Sequence, residues 1–432
     1  MNKRFLAMAV LTVASLSIQH VSAHGNQDDA DVIVEWNQIL QANIPSTAGV
    51  LTPRYYAVMH IAMFDAVNSI DEEYMPYHAR VPSYRGASAE AAAAKAAHDV
   101  LAALISGDQA HATFDAALDA RLASIAPWRA AQGVVVGAKV AQDILAWRAN
   151  DGSSAPTPSY VLPSIPGLWQ PTPPSFAPAQ FPQFGNVRPF ALLTSTQYLP
   201  SPPPTLTSDT YTADFDEVKR LGSATSSERT PEQTLLARLF APQGYRTQHW
   251  AVWNNVARDM AARKHLSLVD TARLFALMNV SIHDGLQTSH TSKFVYGLWR
   301  PITAIQRADE DLNLATIADP TWTPLITTPP YPSHSSNQTC VGVSASRALA
   351  RAFRTDEMPF TVTWTGVAPT ADVSRAYTRF SQLAADQARS RVYAGIHFTF
   401  ELTASEAACT KVADYVFEHY MRRCNHRSFD CD

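Results

Sequence analysis

The chain has 432 residues, 46% of them hydrophobic and 17% charged, with a formal net charge of −4. That composition supports a sizeable buried core in one large domain or two smaller ones. It excludes a global basic field. No basic stripe or interleaving of aromatic with basic residues occurs, so nucleic acid is not an expected partner, and any anion site must be local, built from a few converging side chains.

The first residues read as a secretory signal. Lys3 and Arg4 supply a positive start, residues 5–18 form an apolar run too short to span a bilayer, and Val21, Ser22 and Ala23 form a small-residue cleavage site. The expected signal peptide is 1–23, with the mature chain starting at His24 in the periplasm or outside the cell and carrying no membrane span. Residues 24–150 read as an N-terminal helical part. Trp36, Ile39 and Leu40, then Tyr56, Met59, His60, Met63 and Phe64, recur at helical spacing over 34–70. Residues 88–105 are alanine-dense, with Ser88 as N-cap, and further helices are expected at 114–125 and 129–148.

Prolines then crowd into 151–207, which rules out a helix there. Leu168, Trp169, Phe176, Phe181, Phe184 and Phe190 are interspersed. A disordered linker rarely carries so many aromatics, so the segment is expected to be an ordered loop wrapped on the helical body. The C-terminal part, 208–432, returns to helices, expected at 208–221, 231–240, 245–263, 267–286, 340–353, 372–393 and 400–420. Alternating strands are scarce and no repeat is present. The expected fold is mainly α, with residues 24–432 forming one compact unit.

All four cysteines, Cys340, Cys409, Cys424 and Cys431, lie late. An even count in an exported chain favours disulfides, with three pairings open. The preferred one joins Cys424 to Cys431 across a short loop and Cys340 to Cys409 across a long one. A rival zinc site lacks any CxxC pair.

Three segments carry chemistry. In the first, Lys293 and Arg300 stand seven residues apart, two helical turns, before Pro301. Both cations can therefore share a face and suit an oxyanion. The bland alternative, a solvated charged face, is opposed by the flanking Phe294, Tyr296, Leu298 and Trp299. In the second, Pro329-Pro330-Tyr331-Pro332-Ser333-His334-Ser335-Ser336-Asn337-Gln338 delivers small polar residues to a helix start. Free N–H groups and a serine hydroxyl there can bind an anion, or Ser335 or Ser336 can simply cap the helix. In the third, Arg391 adds a third cation. His397 follows a turn marked by Gly395, and Glu401, one helical turn on, can orient the imidazole. Alone, His397 would read as a core histidine with a chance acidic neighbour.

Together the three segments resemble the vanadium haloperoxidase and type 2 phosphatidic acid phosphatase superfamily. Its pattern is KxxxxxxRP, then PSGH, then SRxxxGxHxxxD. The first element is intact at Lys293, Arg300 and Pro301. The third is intact at Ser390, Arg391, Gly395 and His397, with Glu401 for Asp. Trp36-Asn37, the stretch from Thr52 to Asn68, and the run from Gly167 to Pro174 are similar to the bacterial haloperoxidase-like branch, so the resemblance covers nearly all of the expected mature chain.

The middle motif departs. Bacterial relatives read PPYPxYPSxH, which sets Ser336, Asn337 and Gln338 on Ser-Gly-His. The resemblance implies a haloperoxidase-type helical bundle. In it Lys293, Arg300, Ser336, the Asn337 N–H and Arg391 hold equatorial oxygens. His397 is the apical vanadium ligand, or the phosphoryl acceptor in a phosphatase. Gln338 stands where an acid-base histidine is expected. An amide can hydrogen-bond an apical oxygen but cannot exchange protons near neutral pH. His334 is the candidate to take that role. His290 and Tyr331 fall where the family places residues near halide or peroxide.

Three functions follow from the resemblance. The first is peroxide activation by histidine-bound vanadate toward halide or thioether. The second is cofactor-free phosphoester hydrolysis through a phosphohistidine. The third is a non-catalytic oxyanion binder. Partners are therefore small molecules, with a homo-oligomer left open.

Overall fold

The computed structural model describes residues 30–82, 85–241, 249–366 and 371–424. The expected signal peptide and Cys431 lie outside these. Thirteen α-helices and one two-stranded sheet make up the regular structure among the described residues. The N-terminal helices are α1 (Asp31–Asn43), α2 (Thr52–Asp71), α3 (Ala89–Leu104), α4 (Asp108–Ala123) and α5 (Pro127–Arg148). The run expected at 34–70 is two helices. Ile44 is extended before Pro45, because the proline ring excludes helical geometry from the residue ahead of it. Ser88 caps α3 by accepting from the Ala91 N–H at 3.1 Å.

The C-terminal half contains α6 (Asp209–Leu221), α7 (Pro231–Leu239), α8 (His249–Arg263), α9 (Leu268–Tyr296), α10 (Pro301–Gln306), α11 (Asn337–Phe353), α12 (Phe380–Tyr393) and α13 (Thr399–His419). Helix α9 is the axis of the molecule. Its 29 residues are buried continuously from Leu274 to Lys293, and α2, α11 and α13 pack around it. A helix apolar on every face would suggest a membrane segment, but α9 is buried all round by protein. No helix among the described residues is long and apolar enough to cross a bilayer.

The helix expected at 372–393 begins instead as a strand. Strand β1 (Glu357–Trp364) pairs antiparallel with β2 (Val373–Arg379), and α12 follows. In β1, Met358, Phe360, Val362 and Trp364 alternate inward, a period-2 signal that the short flanking segments obscured.

The proline-rich segment is ordered and wraps the C-terminal half. Trp169, Phe184 and Phe190 are buried. Its Trp169 N–H donates to Gly297 O, the Trp299 N–H donates to Gly167 O, and the Gln180 N–H donates to Pro330 O. Asp284, fully inside α9, accepts the N–H groups of Phe190, Ala191 and Leu192 at 2.7–3.0 Å. A chain so rich in proline has few donors of its own, so the carboxylate satisfies three that would otherwise be buried unpaired. Cys340 and Cys409 form a disulfide between α11 and α13. The expected Cys424–Cys431 bridge falls partly outside the described residues.

Candidate active site

Four local structures converge at one end of α9. Gly297 ends the helix in a left-handed conformation (φ +60°), and its N–H closes on Lys293 O at 2.9 Å. A side chain there would need a strained φ and would meet Leu162 at 2.7 Å, so the turn requires glycine. Arg300 therefore does not continue the helix of Lys293, as the two-turn spacing had suggested. It is the residue before α10, extended ahead of Pro301, and the reversal at Gly297 is what points both cations inward. Ser336 caps α11, accepting from the Thr339 N–H at 3.4 Å and the Thr339 hydroxyl at 2.9 Å. The helix starts three residues earlier than expected, which leaves the N–H groups of Asn337 and Gln338 in its first turn without a preceding turn to bond. Gly395 (φ +78°) turns the chain between α12 and α13. A Cβ there would lie 2.4 Å from Gly222 O, and this close approach delivers His397 next to Arg300.

The charges are the unusual feature. Lys293 and Arg300 are fully buried and Arg391 is 2% exposed. The Lys293 ammonium donates to Ser333 O at 2.8 Å and also to Ser335 O. Arg300 donates from Nε to Tyr331 O and from Nη1 to Ile396 O, both at 2.8 Å, and Nη1 approaches His397 Nε2 at 3.3 Å. Its Nη2 has no partner. Arg391 donates to the Ser390 hydroxyl and to Ala237 O. Burial lowers the pKa of all three, with Arg391 brought to about 9, and Arg300 depresses Lys293 further.

One carboxylate, Glu401, stands among them. Burial pushes it up to about 7 against the opposing pull of Lys293 and Arg300. Its Oε2 is hydrogen-bonded to His397 Nδ1. Burial, then Arg300, Lys293 and Arg391, hold the His397 pKa well below its ordinary value. The ring is therefore neutral, with its proton on Nδ1 toward Glu401 and the Nε2 lone pair facing Arg300.

A cavity of about 330 Å³ opens on this cluster. Tyr331, Asn337, Gln338, Arg391 and His397 line it directly, and Lys293, Arg300 and Ser336 are buried beside that wall. Tyr331 sits under both Lys293 and Arg300, at 5.3 and 5.1 Å from its ring centre. Gln338 donates its amide to Phe240 O at 2.9 Å, and its Oε1 has no partner.

Two candidates sit apart from the cavity wall. His334 donates from Nε2 to Ser201 O at 2.8 Å, and its ring packs on Tyr296 and Phe400. His290 donates from Nε2 to Phe181 O, and its Nδ1 accepts from the Asn337 side chain at 3.1 Å. That second bond explains Asn337. Ser289 donates to its Oδ1 at 3.0 Å, so the side chain that replaces a glycine of the family pattern is clamped against α9.

Other cavity residues carried no motif: Val50, Gln180, Phe181, His249 and Trp250. His249 lies in α8 and was concealed inside an ordinary amphipathic run, with no local signal to mark it.

The donor set is cationic plus one neutral imidazole, and among the described residues no cluster of His, Cys, Asp and Glu could hold a metal cation. The arrangement therefore fits an oxyanion, including an oxyanion of a metal. An unpaired guanidinium N–H in a buried cationic pocket is costly unless an anion completes it.

Residues 273–426 match the family model of the VCPO second helical-bundle domain. The fold is similar to that of the first bacterial vanadium-dependent iodoperoxidase to be crystallised, with a TM-score of 0.77 and 22% identity over 93% of this chain and 98% of that one. It is also similar to a bacterial vanadium-dependent chloroperoxidase. The holo form gives a TM-score of 0.68 and 16% identity over 85% of this chain and 91% of that one. The apo form gives the same score and identity over 87% and 95%. No curated protein sequence matches the chain significantly.

Proposed function

We propose that this chain, whose fold is similar to that of bacterial vanadium-dependent haloperoxidases and whose residues 273–426 match the VCPO second helical-bundle domain, is a vanadate-dependent peroxidase, exported from the cell, that oxidises halide or a thioether. The observation that carries the reading is the buried excess of positive charge: three cations and one neutral histidine around a single carboxylate, with Arg300 Nη2 left unpaired. Vanadate on that site would supply Lewis acidity, polarising bound peroxide toward attack by the halide.

The protein's own groups do the rest. Arg300 and Arg391 would hold oxygens of the bound anion with N–H groups fixed in advance, and Lys293, anchored to the Ser333 and Ser335 carbonyls, would add charge beside them. The Asn337 N–H and the Ser336 hydroxyl, whose own proton is free to donate, complete the cradle at the helix start. His397 offers its Nε2 lone pair once an anion draws Arg300 Nη1 away from it. Glu401 fixes the ring orientation and accepts from Nδ1. Gln338 places an unpaired acceptor oxygen at the cavity, fit for a protonated oxygen of the bound anion but not for proton exchange. Export rests on Lys3, Arg4, the apolar stretch 5–18 and the Ala23 cleavage site.

The test is calorimetry with orthovanadate on the purified chain, beside iodide and bromide oxidation by peroxide with and without added vanadate. Saturable one-to-one binding that confers the oxidation supports the reading. Absence of binding by folded protein would overturn it. Turnover of an aryl phosphate that vanadate inhibits, with no oxidation, would assign the site to phosphoester hydrolysis through His397.

A further inference from the structure

We propose that His249 is the proton-exchanging residue of this site, standing in for the histidine that Gln338 replaces. The inference rests on the oxyanion reading above and adds a residue that no motif assigns.

The argument is one of access. Proton exchange at a bound oxyanion needs a titratable group open to the cavity, on a side not already used for holding the anion. Among the described residues, the titratable groups lining the cavity are His249, Tyr331, Arg391 and His397. Arg391 stays charged as an anion holder, and His397 uses one nitrogen on Glu401 and the other on the oxyanion. Burial raises the Tyr331 phenol above its ordinary value, away from neutral pH. Gln338 does not titrate, and its amide is tied to Phe240 O. His334 and His290 are absent from the cavity wall and already bonded to Ser201 O and Phe181 O. His249 remains. It lies in α8, is half-buried, forms no hydrogen bond among the described residues, and has its ring beside Trp250 with centroids 4.0 Å apart. A histidine without a hydrogen-bond partner among the described residues, on the wall that also carries His397 and Arg391, is placed for chemistry more than for packing.

Charge supplies the coupling. In the empty site, burial and then Arg391 hold His249 down to about 3. The groups facing the same space are Arg391 from α12, His397 from the turn before α13, and Tyr331 from the loop before α11. An arriving oxyanion offsets the field of Arg391, the lesser of the two causes, and so shifts His249 toward the protonated ring while burial still opposes it. With hydrogen peroxide as co-substrate, the His249 imidazolium would give a proton to a hydroxyl leaving as water, and the neutral ring would take the proton that peroxide must lose, so protons balance over the exchange.

The experiment compares wild type, His249→Gln and His249→Ala. Orthovanadate calorimetry is run near pH 7 in two buffers of different ionisation enthalpy, and halide oxidation is followed as a function of pH. Wild type is expected to take up more protons on binding than His249→Gln does. His249→Gln should bind vanadate within about threefold of wild type, lose that excess uptake, and drop turnover by about 10²–10⁴. Imidazole in solution should restore part of the His249→Ala turnover, an effect that repair of folding would not give. Proton uptake as large in His249→Gln as in wild type, or turnover within about threefold of wild type, would overturn the proposal and leave the oxyanion reading intact. Vanadate that fails to bind wild type would overturn both. Vanadate that binds wild type but neither variant, with both variants folded by circular dichroism, would make His249 an anion-holding group and reject the proton role.

Discussion

Arg300→Gln removes a fully buried guanidinium whose Nη2 has no partner among the described residues. In the wild type, Nε and Nη1 bond Tyr331 O and Ile396 O, and Nη2 is free for the anion. Replacement removes the free donor, one full charge, and the group beside His397 Nε2. Charge-assisted hydrogen bonds contribute about 1.5–3 kcal/mol each. Two lost toward the anion amount to about 3–6 kcal/mol, or roughly 10²–10⁴ in affinity. Stability without ligand should move much less. One of the two carbonyls is left unpaired, at about 1–3 kcal/mol, while relief of the repulsion on Lys293 offsets part of that. The two effects separate in a thermal-shift titration with orthovanadate. At a ligand concentration about 100 times the wild-type Kd, wild type gains about 2.7 kcal/mol. A variant weakened about 100-fold gains about 0.4 kcal/mol at the same concentration. Calorimetry gives the affinities directly. A folded Arg300→Gln protein that binds orthovanadate within about threefold of wild type would refute the assignment of Nη2 to the anion.

Gln338→His, which restores an imidazole to the start of α11, is expected to raise peroxidase turnover with vanadate affinity changed by less than about threefold, while His334→Ala leaves turnover unchanged because that ring faces Ser201. Steady-state kinetics on both variants checks this, and a fall in Gln338→His would show that the amide belongs to the mechanism. Stability should decline as pH falls below about 6.5. Burial holds His60, His249 and His290 down to about 3 and His334 to about 4, so the unfolded chain binds protons that the folded one does not. Glu401 and Asp65, each pushed up to about 7, act in the opposite direction between roughly pH 4 and 7, but four histidines outweigh two carboxylates. Urea unfolding midpoints from pH 4 to 7 should therefore rise with pH, and a flat or falling series would contradict the burial argument. Cys340→Ala with Cys409→Ala opens a bridge spanning 69 residues between the helices that carry Gln338 and Glu401. The loss expected from chain entropy is about 4 kcal/mol, read as a lower urea midpoint.

The sequence made the cations legible because Lys293, Arg300 and Arg391 stand at fixed spacings beside Pro301, Gly395 and His397. It also made the proline-rich loop legible as ordered, because its aromatics need a core. It did not reveal the geometry joining Lys293 to Arg300. A seven-residue spacing fits two helical turns, and only the left-handed Gly297 shows that the chain reverses between them. The β1–β2 hairpin was missed because Val373–Arg379 runs directly into α12 without a punctuating residue. His249 and the cavity wall at Val50, Gln180 and Phe181 come from separate parts of the chain, and no local pattern records such a convergence.

Asn337 and His290 show why substitutions around a motif must be read in pairs. Each alone is a poor fit to the family pattern: a bulky amide where a glycine stands, and a polar ring where an apolar wall is expected. In the structure the Asn337 amide donates to His290 Nδ1 and accepts from Ser289, and His290 gives its other nitrogen to Phe181 O. Each departure thus consumes the polarity of the other. What remains at the cavity is the N–H at the start of α11, which a glycine would also have offered, while the His290 ring, off the cavity wall, packs against Phe184, Phe294 and Tyr331. Gln338 has no such compensation. Its Oε1 is buried and unpaired. An orphaned acceptor at that place costs stability in the empty protein, and the cost is recovered only when a donor arrives. On the proposed reading, the charge that would hold an oxyanion and the proton traffic that would turn it over therefore sit on different elements: the former on Lys293, Arg300 and Arg391, the latter open to reassignment without disturbing the fold.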